Sequence, residues 1–212
     1  MKLQQNILNA HSTSAFLTGY WREIVILSSS SVFLILEFYH VLLNEWLSSL
    51  IYFAFLPVMV VVLLLRRNPL NFGLRPGKVK FWIPQVIVTC LILSPVLYFS
   101  SILPEFQNYY YQKDFKLWNY FISQCAMLTG WEYIFRGFLL FGLKEKFKEA
   151  AIVIQNVPFV LLHLGKPELE TISTIFTGLY FGWVCYRGQS YWPALIIHLF
   201  INVFFISLIN LK

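Results

Sequence analysis

Seven apolar runs, near residues 24–43, 46–65, 82–104, 117–143, 149–164, 171–186 and 192–210, take up most of this 212-residue chain. Hydrocarbon offers no water to backbone polar groups, so runs of this length fold as helices that satisfy their own N–H and C=O groups. Composition agrees, with 58% of residues hydrophobic and 12% charged, where a soluble domain has about half and about a quarter. The expectation is an all-α polytopic membrane protein, with about seven transmembrane helices in one bundle and no room for a sizeable soluble domain. Residues 1–21 are polar and mixed, so no signal peptide is expected there, and a further interfacial helix over 5–21 is compatible with them.

The net charge of +6 does not describe a nucleic-acid surface, because no basic helix or basic run with interleaved aromatics occurs. Arg66, Arg67, Arg75, Lys78 and Lys80 instead crowd one loop, where Gly73, Pro76 and Gly77 predict turns. The positive-inside rule puts that loop in the cytoplasm. Alternating from it, Lys2, Arg22, those five, Lys144, Lys146, Lys148 and Arg187 make eleven cytoplasmic positives, and Lys113, Lys116, Lys166 and Lys212 make four outer ones. This predicts an integral membrane protein with its N-terminus cytoplasmic; the membrane expected is a bacterial plasma membrane. Cys90, Cys125 and Cys185 lie within apolar segments without paired spacing and read as small buried hydrophobes.

Against that background Glu132 and Arg136 stand out. An acid and a base four positions apart share one helix face, and at bilayer depth such groups pair, face the bundle interior and mark function. A lock between helices is the structural alternative. Gly130 and Gly137 bracket the pair and predict close approach by a neighbouring helix. Two more runs carry polar faces, Asn156 with His163, and His198 with Asn202. Glu37 and His40, three apart in the first run, are assigned a structural role. In hydrocarbon the polar clusters would find partners by meeting in the core, or each would serve separately as interhelical hydrogen-bonding residues. Two imidazoles and a carboxylate suit Zn²⁺, which lowers the pKa of a bound water to about 7. Asn202 would suit an oxyanion or a bond to an imidazole, and Arg136 would orient the carboxylate. The compact His-Glu-x-x-His spacing is absent.

Three signatures in order resemble the CPBP family, the CAAX proteases and bacteriocin-processing (Abi) enzymes that include the Ras-converting endopeptidases. The family shows Glu-Glu-x-x-x-Arg, Phe-x-x-x-His and His-x-x-x-Asn on separate helices. Here stand Trp131-Glu132-Tyr133-Ile134-Phe135-Arg136-Gly137, then Phe159 to His163, then His198 to Asn202. Asn71-Phe72-Gly73-Leu74-Arg75 is also similar to the family's loop before that core. The resemblance implies a division into N-terminal helices with the basic loop (1–115) and a catalytic helical core (116–212) within one membrane domain. It implies an intramembrane endopeptidase acting on a membrane peptide or protein, with or without a prenyl group. Glu132, Arg136, His163, His198 and Asn202 would carry catalysis, and His163, His198 and Glu132 would hold the metal. The family is also argued to work by glutamate-activated water alone.

One position departs from the pattern. Trp131 stands where the family has the first glutamate of its pair, usually treated as the catalytic one. Glu132 would then take the base role, or Glu168 or Glu170 would fold back over His163. Otherwise the chain is a catalytically silent membrane scaffold or a bacteriocin self-immunity protein.

Overall fold

The computed structural model describes residues 2–211, with side chains from 18 to 211, and the described residues form helices and turns without a strand. Eight helices follow in order: α1 (Lys2–Tyr39), α2 (Glu45–Leu64), α3 (Val79–Ser100), α4 (Pro104–Tyr110), α5 (117–147), α6 (Ala150–Leu161), α7 (Glu168–Gly188) and α8 (Trp192–Asn210). Of these, α2, α3 and α8 are long and apolar enough to cross a membrane. The all-helical architecture and the seven expected runs are present, one run in each helix except α4.

Two differences have local causes. The first run stops at Tyr39, short of 43, because Asn44 is extended and its Oδ1 accepts from Leu47 N at 2.9 Å, which starts α2 afresh. Helix α4 was not expected. Pro104 opens it after the extended Leu103, and Phe106 and Tyr110 then pack on Phe205 of α8. The basic loop holds one short turn, Pro69–Asn71, capped by Asn68 Oδ1.

Contacts sort the helix ends into two sets. At one end Arg22 meets Glu145 at 3.2 Å, Lys144 Nζ donates to Gln189 Oε1 at 2.9 Å, and Lys78 N donates to Gly188 O at 2.7 Å. At the other, Gln112 N donates to Asn210 Oδ1 at 2.6 Å and Glu168 N to Glu105 Oε1 at 2.9 Å. The residues assigned to one side by charge alternation, namely Arg22, the 66–80 loop, Lys144 and the α7–α8 turn, therefore share one end of the bundle. Gly77 is required there: its φ is +63°, and a Cβ would lie 2.2 Å from Gly188 O.

Wide π-helical turns interrupt two helices. In α2, Pro57 has no N–H to give to the i−4 carbonyl, and the preceding turn widens so that Leu56 N reaches Ile51 O. In α5 the π segment is Tyr133–Leu139, between α-helical Leu117–Glu132 and Leu140–Phe147. Every residue of that segment is buried, and Phe135, Phe138, Leu139 and Leu140 form the centre of the main core with Phe53, Phe159 and Phe181. Gly130 lets α2 touch α5, since a Cβ there would sit 2.2 Å from the Ser49 carbonyl oxygen. Gly130→Ala must push two backbones apart and is expected to cost about 3 kcal/mol, read as a lowered unfolding midpoint in detergent. An exposed control, Ser173→Ala, should leave the midpoint unchanged.

Candidate functional site

Glu132 ends the α-helical part of α5 and Arg136 lies in the π segment, both with zero exposure. Arg136 Nη1 lies 3.1 Å from each oxygen of Glu132 and donates to Oε1. Its Nη2 donates to Gly178 O in α7 at 3.4 Å. The guanidinium lies over the Phe159 ring at 3.9 Å and near Phe181 at 5.3 Å, so aromatic faces take the place of water around it.

The third member comes from α8. His198 Nδ1 lies 2.6 Å from Glu132 Oε1, and a carboxylate oxygen accepts, so the ring donates from Nδ1 and its Nε2 is left as an acceptor. His163 follows the last turn of α6 and makes the same choice, donating from Nδ1 to Phe159 O at 2.8 Å. The Phe159 ring neighbours both imidazoles, 4.6 Å from His163 and 6.2 Å from His198. Glu132 Oε2 is buried without a hydrogen-bonding partner.

Other expected residues sit further off. Asn202, one turn beyond His198, donates from Nδ2 to Gln124 Oε1 at 2.9 Å. Asn156 donates to Ile175 O at 3.0 Å and braces α7, where a Cβ on Gly178 would lie 1.9 Å from its Oδ1. Glu170 accepts from Tyr110 Oη at 2.6 Å, beside Lys166, and Glu168 is exposed at the head of α7. Burial, with Glu170 alongside, pushes the Tyr110 hydroxyl up, so it stays a donor. Glu170 is thus occupied, and both acids lie at the end of the bundle opposite the basic loop.

Trp131 turns its indole N–H toward α2. Nε1 donates to Ser49 Oγ at 3.3 Å, Ser49 Oγ donates to Glu37 Oε1 at 2.7 Å, and the ring meets His163 edge-on at 5.8 Å. Glu37 therefore answers to Ser49, although His40 is its neighbour in sequence. Gln124, Ser49 and the Gly178 carbonyl were not singled out from the sequence. An amide in an apolar helix is a usable signal for Gln124. A lone serine and a backbone carbonyl carry none.

As a set of donors for a metal, the two Nε2 atoms and Glu132 Oε2 are of the kinds zinc takes. As the side chains stand, however, no three His, Cys, Asp or Glu groups among the described residues are gathered to hold an ion. The arrangement holds one carboxylate between a cation and an imidazole.

An all-helical bundle with long apolar helices and a buried polar centre is the architecture of an integral membrane protein. Within it, residues 113–204 match the family model described as Rce1-like, the Type II CAAX prenyl endopeptidases. The match covers less than half of the chain and bears out the resemblance carried by the three signatures; the class it implies is a CAAX-type membrane protease. No curated protein and no solved structure matches the chain.

Removing one partner of the buried pair isolates the other. Arg136→Met is expected to destabilise the protein by about 3–5 kcal/mol, and adding Glu132→Gln should recover a large part of the loss. Unfolding midpoints of the two single variants and the double variant measure this.

Proposed function

We propose that this chain is an intramembrane endopeptidase that cleaves a peptide bond in a membrane-associated substrate, with Glu132 as the carboxylate that activates water. The observation that supports it is the placement of Glu132: fully buried, fixed on Oε1 by Arg136 and His198, with Oε2 beside Arg136 Nη1 at 3.1 Å but accepting no hydrogen bond. A water donating to Oε2 would lose its proton there as its oxygen attacks the scissile carbonyl carbon. The C–N bond then breaks, and the proton passes from Glu132 to the leaving amine. His198 holds the carboxylate in place. His163, with Nε2 as an acceptor, is suited to accept from the water, and Asn202 has a second N–H to offer the tetrahedral oxyanion.

The family description adds a prenyl group on the substrate, which suits a site reached from hydrocarbon. The basic end of the bundle would face the cytoplasm, with the N-terminus on that side, in a bacterial plasma membrane. Zinc remains a second reading, favoured by the free Nε2 atoms and by an Oε2 that accepts no hydrogen bond. It would be held by His163, His198 and Glu132 after these draw together, and would supply Lewis-acid activation of water. A third reading, a silent scaffold or self-immunity protein, is favoured by Trp131, which fills the position of the family's first glutamate.

The readings separate in one set of measurements on protein reconstituted in lipid with a farnesylated CAAX peptide and its unprenylated twin. For the proposed enzyme, His163→Ala and His198→Ala should each lower cleavage at least about 100-fold while the proteins stay folded. Elemental analysis of the same samples should show about one zinc per chain, lost in both variants, only if the second reading holds. A folded double variant that still cleaves would exclude the site, and a wild type inert toward both peptides would favour the scaffold.

A further inference from the structure

Away from the Glu132 site, at the basic end, lies a cavity of about 750 Å³ between α1, the 66–80 loop and the end of α5. Its walls carry four cations, Arg22, Arg67, Arg75 and Lys144, and one acid, Glu145. Glu145 is taken by Arg22 at 3.2 Å, and Lys144 by Gln189 and the face of Phe141. Among the described residues the guanidinium groups of Arg67 and Arg75 have no ion pair. Four positives against one negative leave an excess of three in one concavity, and a guanidinium without an ion pair is a donor group that suits phosphate.

Apart from Asn71 and Gln189, the side chains of the remaining wall are apolar. Ile26, Leu65 and Phe72 line the cavity. Leu63 and Leu64 expose 59% and 57% of their surface immediately before the loop. Two exposed leucines of α2 thus stand immediately before Leu65 and Arg67 of the cationic pocket, where the apolar run ends, as a lipid's chains stand before its headgroup. The loop is held in shape rather than loose. Gly73, at φ +84°, packs under Phe141, and Tyr191 N donates to Gly73 O at 3.0 Å.

We infer that this cavity is a binding site for the phosphate headgroup of an anionic glycerophospholipid, with Arg67 and Arg75 on the phosphate and one acyl chain along Leu63 and Leu64. Free inorganic phosphate shares the headgroup's charge but has no use for the two exposed leucines, which decide for the lipid. The site is independent of the proposed hydrolysis.

The test uses the full chain purified from equimolar phosphatidylglycerol and phosphatidylcholine, with retained lipid measured by mass spectrometry. Phosphatidylglycerol should be enriched over phosphatidylcholine on the wild type. The enrichment should fall about tenfold in Arg67→Gln/Arg75→Gln and persist in Lys78→Gln/Lys80→Gln, which removes equal charge outside the cavity. Equal retention of both lipids on the wild type would overturn the inference without recourse to any variant. So would an equal loss in the Lys78/Lys80 pair, which would assign the effect to general surface charge. Displacement of the lipid by millimolar phosphate, but not by chloride of the same ionic strength, would assign the pocket to a free anion and overturn the lipid.

Discussion

A carboxylate and a guanidinium with no exposure carry a desolvation penalty of several kcal/mol each, and only close, well-directed partners offset it. Glu132 and Arg136 meet that condition by facing each other, but two groups alone would leave polar atoms over. His198 takes one Glu132 oxygen, the Gly178 carbonyl takes an Arg136 N–H, and Phe159 and Phe181 cover the guanidinium. Four helices, α5 to α8, are thereby tied to one buried pair. The same ties hold the carboxylate still, which a general base needs and a simple helix lock does not.

The backbone makes room for this cluster by local devices. The π segment of α5 begins at the residue after Glu132 and carries Arg136, so the turn that bears the charges is wider than an α-turn. Gly178 brings α7 against Asn156 and lets its carbonyl serve Arg136 and Gln155 together, at 3.4 and 3.2 Å. Gly130 brings α2 close enough for Ser49 to reach the Trp131 indole. Trp131 is thus built into a packing and hydrogen-bonding role toward α1 and α2, which leaves Glu132 as the acid in contact with the imidazole of α8.

Much of the architecture was legible in the sequence because hydrocarbon enforces helices wherever apolar runs are long. The grouping of basic residues at one end follows from the same alternation. Glu132 and Arg136 were legible as a pair, being four apart, and the tie to His198 followed from the high cost of an unpartnered polar group. Other features depended on tertiary contact. Asn202 finds Gln124, 78 positions away, and Glu170 finds Tyr110, 60 positions away; no periodicity encodes either pairing. Helix α4 escaped because it is seven residues long and mixed, with Glu105, Gln107 and Asn108 in it, so no apolar run marks it; Pro104 and packing on α8 make it a separate element.

The central claim is that Glu132 activates water although Trp131 replaces the family's first glutamate. The most direct measurement compares the cleavage rate of a membrane-reconstituted farnesylated peptide by wild type, Glu132→Gln, and Glu168→Gln/Glu170→Gln, each checked for retained helicity. Glu132→Gln keeps the shape and hydrogen-bonding reach of the side chain but removes the base. The predicted result is a loss of at least about 1000-fold for Glu132→Gln, with the Glu168/Glu170 variant near the wild-type rate. Wild-type cleavage by folded Glu132→Gln, or abolition by the Glu168/Glu170 change, would contradict the claim.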